Sequence, residues 1–187
     1  MVKKNACVFI SGYGTNLKSL IENSRYQNFP VNISLVISNN INAKGMLHAK
    51  KNSIPYLIIN TKKRNFENII LKNIKKYGVT LICLAGYMEI ISKNFLIKYR
   101  KKIINIHPSL LPKYKGLNTF ERVIKNNEVK TGCTVHYVNE KLDNGKLIVQ
   151  KSFFINKKDK AIDLKIKTQK LEYKAFPEAI IKIFRYN

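Results

Sequence analysis

Apolar residues along this chain follow two alternating rhythms. Short, wholly apolar runs bounded by turn residues read as buried strands, and longer stretches with an apolar residue every three or four positions read as helices. Cys7 to Ile10 predicts a first strand, the turn Ser11-Gly12-Tyr13-Gly14-Thr15-Asn16 follows, and a helix opens at Leu17 and runs to Asn23. Ile33 to Ser38 predicts a second strand, Ala43 to Asn52 a helix, and Tyr56 to Ile59 a third strand. From Asn65 to Tyr77 the apolar positions Phe66, Ile69, Ile70, Ile74 and Tyr77 keep a helical period, and Gly78 stands where a helix commonly ends in a left-handed residue. Leu81 to Ala85 is apolar throughout, which places it as a central strand covered on both faces. Ser92 predicts a cap for a helix reaching about Tyr99, and Ile103 to Ile106 a fifth strand.

Past this point the texture changes. Pro108 to Gly116 reads as a long loop with two prolines and a glycine, followed by a short helix from Thr119 to Asn126. Cys133 to Val138 and Leu147 to Ile155 predict two strands joined by the polar connection Asn139 to Lys146, a pair suited to antiparallel pairing at a sheet edge. Lys160 to Arg185 predicts a last helix, broken near Pro177. Strands alternating with helices imply an α/β fold, Rossmann-like, with a mostly parallel sheet, helices on both faces and antiparallel edge strands in the C-terminal half. No repeat and no Pro- or Gly/Ser-rich linker interrupts the 187 residues, so one domain is expected. Its halves would be residues 1–102, a nucleotide-binding α/β unit, and residues 103–187, wrapping it.

Composition narrows the picture. With 45% apolar residues the chain can bury a real core. Its apolar runs are too short for a membrane span, and Ala6 to Ile10 behind Lys3 and Lys4 is too short for a secretory leader. Cys7, Cys83 and Cys133 lie far apart without a Cys-x-x-Cys pair, which excludes a disulfide framework and a thiolate zinc site and fits a reducing cytoplasm.

The formal charge of +24, from 35 Lys and Arg against 11 Asp and Glu, raises nucleic-acid binding as a first alternative. The residue types argue against it. Lysine (30), isoleucine (26) and asparagine (22) together make up 78 of 187 residues, and arginine numbers five. A surface built to read phosphates favours the bidentate fork of arginine. All three abundant types have AT-rich codons, so compositional drift accounts for the excess, while the field still attracts small anions.

Three constellations carry candidate chemistry. A Gly-x-Gly turn between strand and helix, Ser11 to Asn16, can aim backbone N–H groups at an anion. It lacks the third glycine of the dinucleotide fingerprint and the Gly-Lys of a P-loop, so it fits a phosphate monoester. In Asn105-Ile106-His107-Pro108 the amide and the imidazole stand two residues apart on one face of a strand, at the end where open α/β sheets place ligands. Such a pair can polarise a carbonyl and move a proton. Asp143, one of three aspartates, follows a strand and would meet His107 and raise its pKa by opposite charge; the alternative is a turn residue. His136 belongs either to packing or to the surroundings of that pair. No metal-ligand spacing and no Ser-His-Asp order is present, so direct transfer between two bound substrates is expected.

These residues also carry a resemblance. Ile10-Ser-Gly-Tyr-Gly-Thr-Asn16, Leu84-Ala-Gly-Tyr-Met88, Asn105-Ile-His-Pro-Ser-Leu-Leu-Pro-Lys-Tyr114, Gly132-Cys-Thr-Val-His136 and Leu142-Asp143 run in order over nearly the whole chain. They resemble the phosphoribosylglycinamide formyltransferase family. The resemblance implies transfer of the formyl group of 10-formyltetrahydrofolate to the amine of phosphoribosylglycinamide in purine biosynthesis, through a tetrahedral intermediate and without a metal. It implies Asn105, His107 and Asp143 as catalytic residues. Gly14, Thr15 and Asn16 would cradle the substrate phosphate, with Gln169, Lys170, Leu171 and Glu172 along the ribose. Lys63, Arg64, Met88, Glu89, Ile90, Ile91, Asn105, Asn139, Glu140, Lys141, Leu142 and Asp143 would line the folate site. The implied partners are these small molecules only, in a cytoplasmic monomer or homodimer.

The family pattern is altered at Glu89, where arginine is common, and at Lys63, where the family arginine stands one residue before Arg64. Its Gly-Leu-His reads Gly116-Leu117-Asn118, and its Asp-Gly-Gly reads Asp143-Asn144-Gly145. The nearest alternative is a methionyl-tRNA formyltransferase-like catalytic domain, whose family adds a C-terminal RNA-binding domain for which 187 residues have no room. A formylfolate deformylase would need a regulatory domain that is likewise missing. A basic nucleic-acid-binding domain gives Asn105 and His107 no task.

Overall fold

A computed structural model describes residues 2–185, and the chain divides between Ile104 and Asn105 into two compact units. The first contains β1 (Lys4–Ile10), α1 (Thr15–Ser24), β2 (Val31–Ser38), α2 (Met46–Lys51), β3 (Tyr56–Ile58), α3 (Phe66–Lys76), β4 (Val79–Leu84) and α4 (Lys93–Tyr99). β5 (Lys102–His107) passes from the first unit into the second, which continues with α5 (Thr119–Lys125), β6 (Lys130–Tyr137), β7 (Leu147–Phe154) and α6 (Ala161–Arg185).

In the first unit the strands lie in the order β3-β2-β1-β4-β5. β1 runs parallel to both β2 and β4, in register Val8 to Val36 and Val8 to Cys83, and β2 runs parallel to β3. Neighbours on both sides explain why the C-terminal part of β1 and nearly all of β4 are buried, as their unbroken apolar sequences predict. α3 turns Ile70 and Ile74 inward, and Gly78 closes it at φ 59°. Ser92 caps α4: its hydroxyl accepts from the Phe95 amide at 3.0 Å and donates to Glu67 at 2.8 Å.

α2 starts at Met46 rather than Ala43, because the residues before it are committed elsewhere. The Ala43 amide donates to the Asn40 carbonyl, and the Gly45 amide to the Gly12 carbonyl at 2.9 Å. Gly45 thus braces the turn after β1, so closely that a Cβ on it would meet Gly14 Cα at 2.8 Å.

In the second unit the order is β5-β6-β7, and β6 and β7 are antiparallel with Val135 opposite Val149. α6 packs on both. It runs unbroken from Ala161 to Arg185, so the expected break at Pro177 is absent. Proline removes one helical N–H, but Pro177 is buried, as are Ala175, Phe176 and Ala179 near it, and this apolar burial holds the helix together across it.

Gly132 sits in β6 where a side chain has no room: a Cβ there would fall on the Lys151 carbonyl oxygen and lie 2.7 Å from Ser152 Cα. Both are backbone atoms of a paired strand and cannot yield. Gly132→Ala is expected to lower the unfolding free energy by about 2–4 kcal/mol, read from the urea midpoint.

Candidate functional site

β5 delivers the site of the second unit. Its residues Asn105 and His107 lie on one side, as their spacing predicts, and both meet Asp143 in the connection between β6 and β7. His107 Nδ1 is 3.3 Å from Asp143 Oδ2, with both side chains 7% exposed. Asn105 Nδ2 donates to Asp143 Oδ1 at 3.3 Å. Asp143 holds a left-handed backbone, φ 46°, and Gly145 behind it leaves no space between the chain and the Tyr137 carbonyl. A tight turn that only a small residue can complete therefore aims the carboxylate.

Hydrogen-bond chemistry assigns the protons. His107 Nε2 lies 2.8 Å from the Tyr114 carbonyl oxygen, which can only accept, so Nε2 carries a hydrogen. The proton that comes and goes on His107 is therefore the one at Nδ1, facing Asp143. His136 Nδ1 lies 2.9 Å from the Tyr137 carbonyl oxygen, and its Nε2 lies 3.2 Å from Asn105 Nδ2 and 3.6 Å from Asp143 Oδ1. The Asn105 amide nitrogen thus stands against both His136 and Asp143, and donates to the latter. The Gly116 amide completes the ring, donating to Asp143 Oδ2 at 2.9 Å.

Burial pushes His107 below its ordinary pKa, outweighing the opposing pull of the Tyr114 carbonyl and of the Asp143 charge. The carboxylate does favour the imidazolium, but the net direction is downward, a correction to the expected rise. Burial also acts against the Asp143 anion, yet the adjoining His136, the Gly116 amide and the His107 charge outweigh it and hold the carboxyl below its usual range. The pair rests as neutral imidazole and carboxylate.

The other predicted residues fall into separate groups. In the first unit, Gly14 takes φ 69° and opens α1, with Thr15 and the buried Asn16 in its first turn. Ser11 ties this turn to the segment after β4: its hydroxyl accepts from the Met88 amide at 2.8 Å and donates to Asn39 at 2.6 Å. Met88 and Ile90 are 67% and 75% exposed, and Ile91 is half-buried. Glu89 accepts from Thr61 at 2.9 Å, which brings the exposed Lys63 and Arg64 segment toward the same loop. In the second unit, Asn139, Glu140, Lys141 and Leu142 form the exposed arm of the turn that ends at Asp143, where the Lys141 amide bonds the Asn139 side chain. On α6, Gln169 and Leu171 are half-buried, Lys170 is exposed, and Glu172 is buried toward Cys133, whose thiol is pushed up to about 12 by burial and then by the Glu172 charge.

Sequence reasoning missed the parts played by Ser11, Tyr114 and Gly116, and left His136 open. Tyr114 and Gly116 contribute backbone groups, which residue type does not announce; glycine at 116, with φ 76°, was the available signal.

Residues 4–180 match the sequence profile described as formyl transferase. The chain belongs to the formyl transferase family. Among its relatives, the phosphoribosylglycinamide formyltransferase of Haemophilus influenzae is 38% identical, covering 97% of this chain and 87% of its own. The human trifunctional purine biosynthetic protein adenosine-3 is 37% identical across 95% of this chain, which spans 18% of the human protein. The crystal structure of phosphoribosylglycinamide formyltransferase from Brucella melitensis aligns at TM-score 0.92 and 34% identity, over 97% of this chain and 96% of that one. The α/β fold with its parallel strands and antiparallel C-terminal pair is the formyltransferase fold. Formyl transfer draws on a formyl-folate as donor. Among the described residues no group of His, Cys, Asp and Glu is arranged to hold a metal ion, and no helix is long and apolar enough to cross a membrane.

The proton assignments fix a pH response. The unfolded chain protonates its histidine at the ordinary value and the folded chain only lower, so stability falls as pH drops through the interval between them. The Asp143 contribution has the same sign: present above the ordinary carboxylate pKa, it is lost as pH falls through the lowered folded one. The melting temperature is expected to drop by several degrees from pH 7.5 to 5, and His107→Gln to flatten that drop. A wild-type melting curve independent of pH over this interval contradicts the assignment.

Proposed function

We propose that this chain is a phosphoribosylglycinamide formyltransferase, transferring the formyl group of 10-formyltetrahydrofolate to the amine of N1-(5-phospho-D-ribosyl)glycinamide. The observation that carries the mechanism is the buried His107 Nδ1 to Asp143 Oδ2 contact of 3.3 Å. The amine lone pair attacks the formyl carbon, and the carbonyl π pair moves onto oxygen. The amine nitrogen becomes cationic and must lose a proton. His107 Nδ1 takes it, and the imidazolium then has both N–H groups satisfied, by the Tyr114 carbonyl and by Asp143. Collapse of the intermediate breaks the bond to folate N10, which receives the proton. Asn105 serves the oxyanion: its contacts of 3.2 and 3.3 Å are long, and a charge-assisted bond displaces one of them.

We assign the phosphate to the N–H groups and side chains of Gly14, Thr15 and Asn16. The ribose falls to the 169–172 stretch of α6, with Glu172 as acceptor. The folate falls to Met88–Ile91, to Lys63 and Arg64, and to 139–143. The exposed apolar Met88 and Ile90 suit a flat heterocycle, and the cations suit an anionic tail. Three free, buried cysteines fit a reducing cytoplasm.

Following folate absorbance with the purified chain and both substrates tests this reading. His107→Ala and Asp143→Ala are each expected to lower turnover by about 10²–10⁴-fold while the chain stays folded. Wild-type turnover in either, or transfer to methionyl-tRNA in place of the glycinamide, overturns it. Gly45→Ala probes the phosphate turn separately. Its methyl would press on Ile10 Cδ1 at 2.7 Å and on Gly14, and the KM for the phosphorylated substrate is expected to rise about tenfold with the KM for folate little changed.

A further inference from the structure

The loop from Pro108 to Asn118 gives the buried pair its two backbone partners, yet it is not intrinsically stable in that shape. Tyr114 has φ 58° and Asn118 φ 53°, in the left-handed region that a bulky side chain such as tyrosine avoids. Something outside the pair must hold Tyr114 there.

Three side chains do so. The Tyr114 hydroxyl donates to Glu128 Oε1 at 2.8 Å and accepts from Asn126 at 2.9 Å. The Arg122 guanidinium stands 5.3 Å from the centre of the Tyr114 ring. One of its nitrogens donates to the carbonyls of Lys115 at 2.6 Å and Leu117 at 3.3 Å, immediately beyond Tyr114. Glu128 also accepts from Lys113 at 2.8 Å, immediately before it. The left-handed residue is thus gripped at its ring, its hydroxyl and both flanks. The backbone groups presented by this stretch are the Tyr114 carbonyl on His107 Nε2 and the Gly116 amide on Asp143 Oδ2.

We propose that Tyr114, Arg122 and Glu128 form a clamp that positions the His107–Asp143 pair, fixing which imidazole nitrogen keeps its hydrogen and which one exchanges it. This rests on the reading of that pair as the proton-handling centre. The clamp acts on the pair through two backbone groups, the Tyr114 carbonyl and the Gly116 amide.

The groups that face His107 are the Tyr114 carbonyl, Asp143, His136 and Arg122. Tyr114→Phe alters none of their charges and removes only the hydroxyl anchor, so a change in His107 cannot be a field effect. Nitrogen NMR of the imidazole in the substrate-free protein reads tautomer and titration directly. In Tyr114→Phe the loosened carbonyl is expected to let the Nδ1–H form grow at the expense of Nε2–H, and the His107 midpoint to fall by about half a pH unit, because a bond favouring the imidazolium is weakened. The acid limb of kcat follows it downward, and kcat falls about tenfold with both KM values held within about twofold. Arg122→Lys, which keeps the charge and loses the fork, and Glu128→Gln are expected to move the tautomer ratio the same way. If Tyr114→Phe does not fold, Glu128→Gln on the outer side of the loop carries the test. A folded variant with the wild-type tautomer ratio and midpoint overturns the clamp. The NMR readout needs no turnover, so absence of formyl transfer in the wild type would count against the proposed function and not against this inference.

Discussion

A buried imidazole facing a buried carboxylate at 3.3 Å is the constraint on which this protein depends. Neither group tolerates burial alone, since desolvation acts against the ionised form of each. The polar positions around the pair are filled: Nε2 by the Tyr114 carbonyl, one carboxylate oxygen by Gly116, the other by Asn105. A half-satisfied network of this kind costs more than an apolar core. The loops around β5 are therefore as much part of this arrangement as Asn105, His107 and Asp143 themselves.

Strand ends and the turns that leave them do the delivering. The tip of β5 sets Asn105 and His107 two residues apart on one face, and the turn after β6 sets Asp143 opposite them. In the first unit the same logic recurs with a different product. The end of β1 opens into a glycine turn braced by Gly45, and Ser11 links that turn to the loop after β4. Rigid strands fix where each loop begins, and hydrogen bonds between loops fix where it goes.

The parts of this arrangement legible in the sequence were those that depend on side-chain type and period. The apolar run of β4 placed a central strand, the helical spacing of α3 placed its buried face, and Asn105-x-His107 placed an amide and an imidazole on one face of a strand tip. Two things escaped. Pro177 reads locally as a helix break, but its burial in tertiary packing overrides propensity. The direction of the His107 shift was misjudged because opposite charge is visible in a sequence and depth of burial is not. The roles of Tyr114 and Gly116 were invisible for a third reason: they act through main-chain atoms whose orientation comes from left-handed backbone, and the residues that enforce it, Arg122 and Glu128, are apart from Tyr114 in sequence.

The net charge bears on the same pair. With 35 basic residues against 11 acidic, the chain carries a strong net positive charge. Most of that field is screened over the distances between exposed lysines. After burial, His136 and then Arg122, which lies 5.3 Å from the Tyr114 ring centre, oppose protonation of His107. Arg122 thus both adds to that resistance and anchors the loop carrying its counterweight, the Tyr114 carbonyl. Taking up a proton at Nδ1 is then possible only while Asp143 stays ionised beside it. That requirement explains why so much hydrogen bonding in a lysine-rich protein converges on one aspartate.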